Sequence, residues 1–132
     1  MGFRGRDSKV LQAAATIAKT TQTKVGSAID VAEYDYLTLF IAYVKGDETG
    51  LNIYPYIKFG EDDATKYQFT EWATAGGTYT KTDQKLQFTA SATTYFTFDV
   101  RGIEFVEIYQ GGSNNDGTPT GTLAVSYLAI GE

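Results

Sequence analysis

Apolar and polar positions alternate most clearly between residues 34 and 59. Residues 34–44 are dominated by β-branched and aromatic side chains, which fit a pleated, half-buried surface. Side chains alternate across a strand, so one face would carry four apolar residues, Leu37, Leu39, Ile41 and Tyr43. The opposite face, with Tyr36, Phe40 and Val44, is also largely apolar. This pattern disfavours a helix and predicts a strand that lies inside a sandwich or at a subunit contact.

A second strand is predicted directly after this one. Residues 45–50 contain two glycines and read as a turn, and residues 51–59 again alternate, so the two strands are predicted to form a central hairpin. Pro55 lies within the second strand. Because proline cannot donate a ladder hydrogen bond, it predicts an edge strand or a bulge.

The rest of the chain repeats this pattern of short apolar runs and turns. Residues 10–19 could form a helix through their alanines, but their alternation favours a strand. Further strands are predicted at residues 25–31, 65–72, 85–90, 95–101, 103–110 and 120–130, and residues 73–83 are predicted to be a loop. About eight or nine strands without a clear helix indicate a sandwich, a jelly roll or a barrel. We favour a single jelly-roll-like antiparallel β-sandwich, because its usual eight strands in two sheets match the count.

Charge divides the chain into an N-terminal arm and a body. Residues 1–24 carry five basic side chains against Asp7, a net charge of +4, and residues 25–132 carry six basic and fifteen acidic side chains, a net charge of −9. We therefore predict a basic arm over residues 1–8 and a sandwich domain over residues 9–132. Within the arm, Phe3, Arg4 and Arg6 are the candidates for docking onto an acidic neighbour, including a second copy; a solvated tail is the alternative.

Composition argues against most enzyme classes. The chain has no cysteine and no histidine, which removes the thiolate chemistry, the commonest general base and the best zinc ligand. The acidic loops at residues 47–48 and 61–63 could bind calcium, but they lack the spaced acidic pattern of an EF-hand. Residues 113–117 also offer oxygen ligands, and all three segments are better interpreted as solvated turns. No catalytic residue, metal or cofactor is predicted. No secretory signal or membrane helix is predicted either, and the acidic body disfavours direct binding of nucleic acid.

Tyrosine is unusually frequent, with ten copies in 132 residues beside the single Trp72. Tyr54, Tyr56 and Trp72 could project from outward faces or loops. Such aromatics suit the core or its rim, a protein interface, or stacking against sugars. These three readings stay open at this point.

Three segments resemble a known class of protein. Residues 28–31 (AIDV), residues 34–39 (YDYLTL) and, more loosely, residues 100–106 (VRGIEFV) are similar to segments of small β-sandwich virion proteins of tailed bacteriophages. The resemblance implies a capsid decoration or minor structural protein without enzymatic activity, found in the virion. It also implies binding to capsid or other virion proteins and a homo-oligomer, with a trimer favoured. The alternative is a carbohydrate-binding or adhesion module of a phage tail or an extracellular appendage.

Overall fold

A computed structural model of the chain describes residues 5–19, 22–75, 78–113 and 118–131. Every regular element in these ranges is a strand. The eleven strands are β1 (Arg6–Thr16), β2 (Thr23–Asp30), β3 (Tyr36–Val44), β4 (Gly50–Lys58), β5 (Tyr67–Gln68), β6 (Thr70–Ala75), β7 (Thr78–Asp83), β8 (Leu86–Phe88), β9 (Ala92–Asp99), β10 (Phe105–Ser113) and β11 (Thr122–Ile130).

Nine of the strands form two antiparallel sheets. The first sheet has the order β1-β11-β3-β9, and the second has the order β2-β10-β4, with β5 and β8 both pairing with β4. The pairs β1–β11, β2–β10, β3–β9 and β4–β8 are nested along the chain, as in one long antiparallel ribbon that is wound into a sandwich. This is the jelly-roll arrangement, so the predicted fold class is confirmed. Strands β6 and β7 form a separate two-stranded ribbon that is inserted between β5 and β8.

The core lies between the two sheets and follows the predicted alternation. All four residues assigned to the inner face of β3 are buried: Leu37, Leu39, Ile41 and Tyr43. Every second residue of β11 is buried in the same way, and β4 and β10 supply the opposite wall with Leu51, Ile53, Val106 and Ile108. The ambiguous segment at residues 10–19 is a strand over most of its length, as favoured from its alternation.

The predicted central hairpin is wrong. β3 pairs with β9 and β11 in the first sheet, whereas β4 pairs with β10, β5 and β8 in the second. The connection between them is tied to the start of β11, because the buried carboxylate of Glu48 accepts hydrogen bonds from the backbone N–H groups of Gly46 (2.9 Å) and Gly121 (2.8 Å). The turn therefore carries the chain from one sheet to the other.

Two other predicted boundaries also change. Residues 73–83, predicted as a loop, contain most of the β6–β7 ribbon, since their threonines and alanines fit a ladder as well as a loop. β1 begins at Arg6, and Arg6, Asp7 and Ser8 pair with β11. The arm was predicted to extend to residue 8, which is wrong for residues 6–8: the Tyr127 hydroxyl donates to Asp7 Oδ2 (3.0 Å) and holds this part of the chain on the sheet.

Pro55 lies at a position of β4 where no hydrogen bond to a neighbouring strand is lost through its missing N–H. It is opposite Ile108 of β10, and its carbonyl accepts a hydrogen bond from the N–H of Phe69 on the other side of β4. In an antiparallel strand the N–H and C=O of one residue point to the same side, so the proline nitrogen also faces away from β10. There it falls between the short partners β8 and β5, at a partly open edge.

Candidate interaction surfaces

The outer face of the first sheet is built from rows of side chains that run across its four strands. The rows are defined by the pairing register, each written in the order β1, β11, β3, β9, and the last row at the far end of the face is Thr16, Thr122 and Val44. The charged row is Arg6, Ile130, Tyr36 and Asp99; the threonine row is Ser8, Leu128, Thr38 and Thr97. The ridge row is Val10, Ser126, Phe40 and Tyr95; the alanine row is Ala124, Ala42 and Thr93, with Ala13 of the bulged β1 beside them.

Charge on this face is confined to one end. Arg6 and Asp99 occupy the charged row, and Arg101 binds Asp99 and lies 5.7 Å from the ring centroid of Tyr36. Hydrogen bonds from Arg101 hold the pKa of Asp99 at about 2, so the pair stays ionised in ordinary buffers. The threonine, ridge and alanine rows contain no ionisable side chain except the Tyr95 hydroxyl.

Large apolar side chains stand out from this face into solvent. Val10 is 71% exposed, Tyr95 64% and Phe40 44%, and the rings of Phe40 and Tyr95 lie side by side with centroids 6.4 Å apart. These ridge side chains and the small side chains of the alanine row beside them line a hollow of about 380 Å³. A raised ridge and an open hollow at its side therefore lie on one uncharged surface.

The outer face of the second sheet is polar instead. Glu107 of β10 is buried there and accepts from Lys24 Nζ (2.8 Å), Lys58 Nζ (3.4 Å) and the Tyr109 hydroxyl (3.1 Å). Burial alone would raise the pKa of Glu107, but the hydrogen bonds from Lys24 and Tyr109 outweigh it and lower the pKa. Lys58 is also buried and donates to the carbonyl of Glu61 (2.8 Å). Glu107, Lys24 and Lys58 therefore find their ionic partners within the chain.

Tyrosines on the second face are also engaged by neighbours. The rings of Tyr56 and Tyr109 meet edge to face at 5.1 Å, and Lys66 Nζ lies 5.1 Å and 4.5 Å from their centroids. The Tyr56 hydroxyl donates to Gln22 (2.6 Å), and Asn52 donates to the Tyr54 hydroxyl (3.2 Å). Because Lys66 occupies one face of each ring, Tyr56 and Tyr109 are poorly placed for stacking against a sugar.

One acidic loop has a structural role that its sequence does not show. Burial alone would raise the pKa of Glu48, but hydrogen bonds from the Tyr43 hydroxyl and from two backbone amides lower it to about 2. Burial and the hydrogen bond to Glu48 also raise the pKa of Tyr43. Glu48 is therefore a buried anion rather than the solvated turn residue that was predicted.

The described ranges hold no cluster of three or more acidic, histidine or cysteine side chains that could ligate a metal ion. Nor do these ranges include a helix with the length and apolar character needed to cross a membrane.

No protein-family model matches the chain, and no curated protein matches it. Solved structures similar to it include the Bacillus endospore appendages described as disulfide-linked pili, at 14% identity and a TM-score of 0.49, covering 99% of this chain and 93% of that one. Another is the VP2 subviral particle of infectious bursal disease virus, at 12% identity and a TM-score of 0.47, covering 96% of this chain. This chain spans 32% of that viral chain. The similar structures thus come from a pilus and a virus particle, at levels that carry no functional conclusion.

The predicted site residues are scattered rather than gathered. Arg6 begins β1 in the charged row, and Tyr54 and Tyr56 lie on the outer face of the second sheet. Phe3 and Arg4 lie outside the described residues, and so does the side chain of Trp72, whose backbone belongs to β6. The predicted docking arm and interface aromatics remain predictions.

Sequence reasoning found part of the first outer face and missed the rest. The apolar outer residues of β3 were recognised as a candidate subunit contact. The contributions of Val10 from β1 and of Ala124 from β11 were not recognised. These contributions could not be recognised in the sequence, because they depend on the pairing of strands that are distant in the chain. Val10, for example, lies opposite Ser126, more than a hundred residues away.

Proposed function

We propose that this protein is a non-enzymatic structural subunit that assembles with copies of itself and with other proteins of a virion. The observation that carries the proposal is the uncharged outer face of the first sheet, where Val10, Phe40 and Tyr95 are exposed together. Contiguous apolar surface of this kind on a water-soluble domain marks a site for another protein or a ligand.

Within this class, we propose a capsid decoration or cement protein that binds a capsid lattice and stabilises it through subunit contacts. Support comes from the resemblance at residues 28–31 and 34–39, which form the end of β2 and the start of β3. Val31 and Leu37 of these segments are buried, and Asp30 Oδ1 accepts from the N–H of Ala32 (3.1 Å). The resembling residues therefore build the fold that presents the apolar face.

The proposal also covers the partners. The net charge of −5 repels phosphates, so no direct contact with nucleic acid is proposed. Copies of this chain cannot be joined by disulfides, because it has no cysteine, and any contact between them must be non-covalent. The trimer favoured by the resemblance stays a prediction about the oligomeric state.

Sedimentation of the full chain over a wide concentration range tests the structural role. We expect a discrete homo-oligomer whose melting temperature rises with protein concentration, since association stabilises only the folded state. A chain that stays monomeric at every concentration, with an unchanged melting temperature, would contradict self-assembly.

Labelling of particles tests the finer proposal. Antibodies against the chain, coupled to gold and applied to virus particles released by the source organism, should decorate the heads in electron micrographs. Labelling that is restricted to tails or to a cellular appendage would instead favour the adhesion module.

A further inference from the structure

The outer face of the first sheet carries two features that fit each other. The ridge row raises Phe40 and Tyr95, and these two side chains line one side of a hollow that extends over Ala42 and Ala124 of the alanine row. We propose that this face binds the same face of a second copy in a two-fold contact, in which the ridge of each copy enters the hollow of the other. The proposal rests on the structural role proposed above and names its partner and its surface.

Self-complementarity is the condition for a two-fold contact. An isologous interface brings the same patch together from both subunits, so a knob on the patch must meet a hole on that patch. Here the ridge and alanine rows are two residues apart along β3, from Phe40 to Ala42. A two-fold axis that passes between these rows and across the strands places each ridge over the opposite hollow.

The charge pattern favours the same arrangement. The charged row lies four residues from the ridge row along β3, from Tyr36 to Phe40. With the axis between the ridge and alanine rows, the charged rows of the two copies come to opposite rims of the contact. Arg6, Asp99 and Arg101 then stay in solvent, and the buried centre contains no ionised group, which avoids the cost of desolvating a charge.

The area is sufficient for a stable pair. Four strands spaced about 4.8 Å apart, with about eight residues each from the threonine row to the row of Val44 at about 3.3 Å per residue, give an uncharged face of roughly 19 by 26 Å. Side-chain relief raises the accessible area of such a face to the order of the roughly 800 Å² per partner that specific interfaces bury. A small apolar molecule in the hollow would leave the whole threonine row uncovered, so a second copy accounts for more of the exposed surface.

A charge placed on the ridge tests the proposal. Tyr95→Asp puts a carboxylate at the centre of the proposed contact, and Tyr67→Asp is the matched control, because Tyr67 is a similarly exposed tyrosine on β5 of the other sheet. We expect the wild-type chain and Tyr67→Asp to sediment as dimers with similar dissociation constants. In Tyr95→Asp the dissociation constant of the dimer should rise by roughly 100-fold or more, since the new charge would be buried without a partner.

Folding of each variant is checked by its circular dichroism and melting temperature in dilute solution. If Tyr95→Asp loses its fold, Val10→Asp makes the same test from β1, where the side chain is 71% exposed and its loss removes no core contact. Equal weakening by both ridge variants supports the two-fold face.

Three outcomes would overturn the proposal. Dimers that both ridge variants leave intact would use another surface, and the structural role would stand without this face. A trimer that Tyr95→Asp dissociates would show a head-to-tail contact rather than a two-fold one. In the third outcome the wild-type chain stays monomeric at all concentrations and its hollow binds the apolar dye anilinonaphthalene sulfonate. This result would contradict both the face-to-face contact and the proposed self-assembly.

Discussion

The outer faces of the two sheets differ in polarity: the second is polar, and most of the first is apolar. On the second sheet, Glu107 pairs with both Lys24 and Lys58, and Lys66 lies over the rings of Tyr56 and Tyr109, so the chain itself supplies the partners of these groups. On the first sheet, Phe40 and Tyr95 stand in solvent beside a hollow, and no ionised group lies within the three uncharged rows. The comparison indicates that the second face serves the fold of the single chain and that the first serves an assembly.

Removal of Glu107 should give the largest effect on folding. In Glu107→Ala the buried ammonium of Lys58 loses its anionic partner, and breaking such a buried pair costs about 3–5 kcal/mol. We expect urea unfolding to show a loss of this size. Lys24→Met is the control, because Lys24 is partly exposed and Glu107 keeps Lys58. If Glu107→Ala unfolds like the wild-type chain, the second face does not hold the fold in this way.

Opposite faces of β9 provide a matched pair of aromatic deletions. Phe98 packs inward against Phe69, with ring centroids 5.2 Å apart, but it is only half-buried at the rim of the core. Phe98→Ala should therefore cost about 2 kcal/mol, less than the 3–5 kcal/mol of a fully buried ring. Tyr95→Ala, on the outer face of the same strand, should change the stability of the dilute monomer by about 0.5 kcal/mol or less. Equal losses in thermal unfolding of the two variants would remove the distinction between the inner and outer faces.

Acid should weaken the fold through Glu48. Its pKa is about 2 in the folded chain against an ordinary value of 4.5, so its stabilising contribution is fully present above about pH 5 and is lost as the pH falls through about 2. Glu48→Gln lacks this contribution. At pH 7 the variant should be less stable than the wild-type chain by roughly 2 kcal/mol, because amides of Gly46 and Gly121 lose a charged acceptor.

Urea unfolding at pH 7, 4 and 2 measures that difference directly. It should shrink steadily with falling pH and nearly vanish at pH 2. A difference that stays constant would mean that the Glu48 carboxylate is not the group that titrates.

Added salt should change self-association least of all. Its effect distinguishes association through the uncharged rows from docking through the basic arm. A contact through the uncharged rows should be as tight in about 0.5 M sodium chloride as in low salt, because no charge is screened. Docking through the basic residues Arg4 and Arg6 would weaken steeply under the same conditions. Sedimentation of the wild-type chain in both buffers decides between them, and a strong loss of association in salt would favour the arm over the face.

The sequence predicted most strands and their buried faces, but it did not predict how the strands pair. Alternation located the inner face of β3 and most strands, because burial on one side of a sheet imposes a period of two. It could not tell that β3 and β4 lie in different sheets, since both strands have the same local pattern and their separation depends on pairing with β11 and β10, which are distant in the chain.

The surfaces were harder to predict than the core. The cluster of Lys24, Lys58 and Glu107 joins positions from three strands that are distant in the chain, so none of the three stood out by itself. The apolar outer side of β3 did stand out, because Tyr36, Phe40 and Val44 are exposed apolar residues on a strand whose other face is already buried. Its extension into a ridge and a hollow required the register of four strands.

A single introduced cysteine tests most directly whether the first outer face joins two copies. The chain has no cysteine, so Ser126→Cys, in the ridge row of the central strand β11, would supply the only thiol. Treatment with a short bifunctional maleimide should convert Ser126→Cys to a covalent dimer in high yield. Gln87→Cys, an exposed position of β8 in the second sheet, should remain mostly monomeric. The account would be contradicted if Gln87→Cys formed the dimer while Ser126→Cys, reactive towards a monofunctional maleimide, did not.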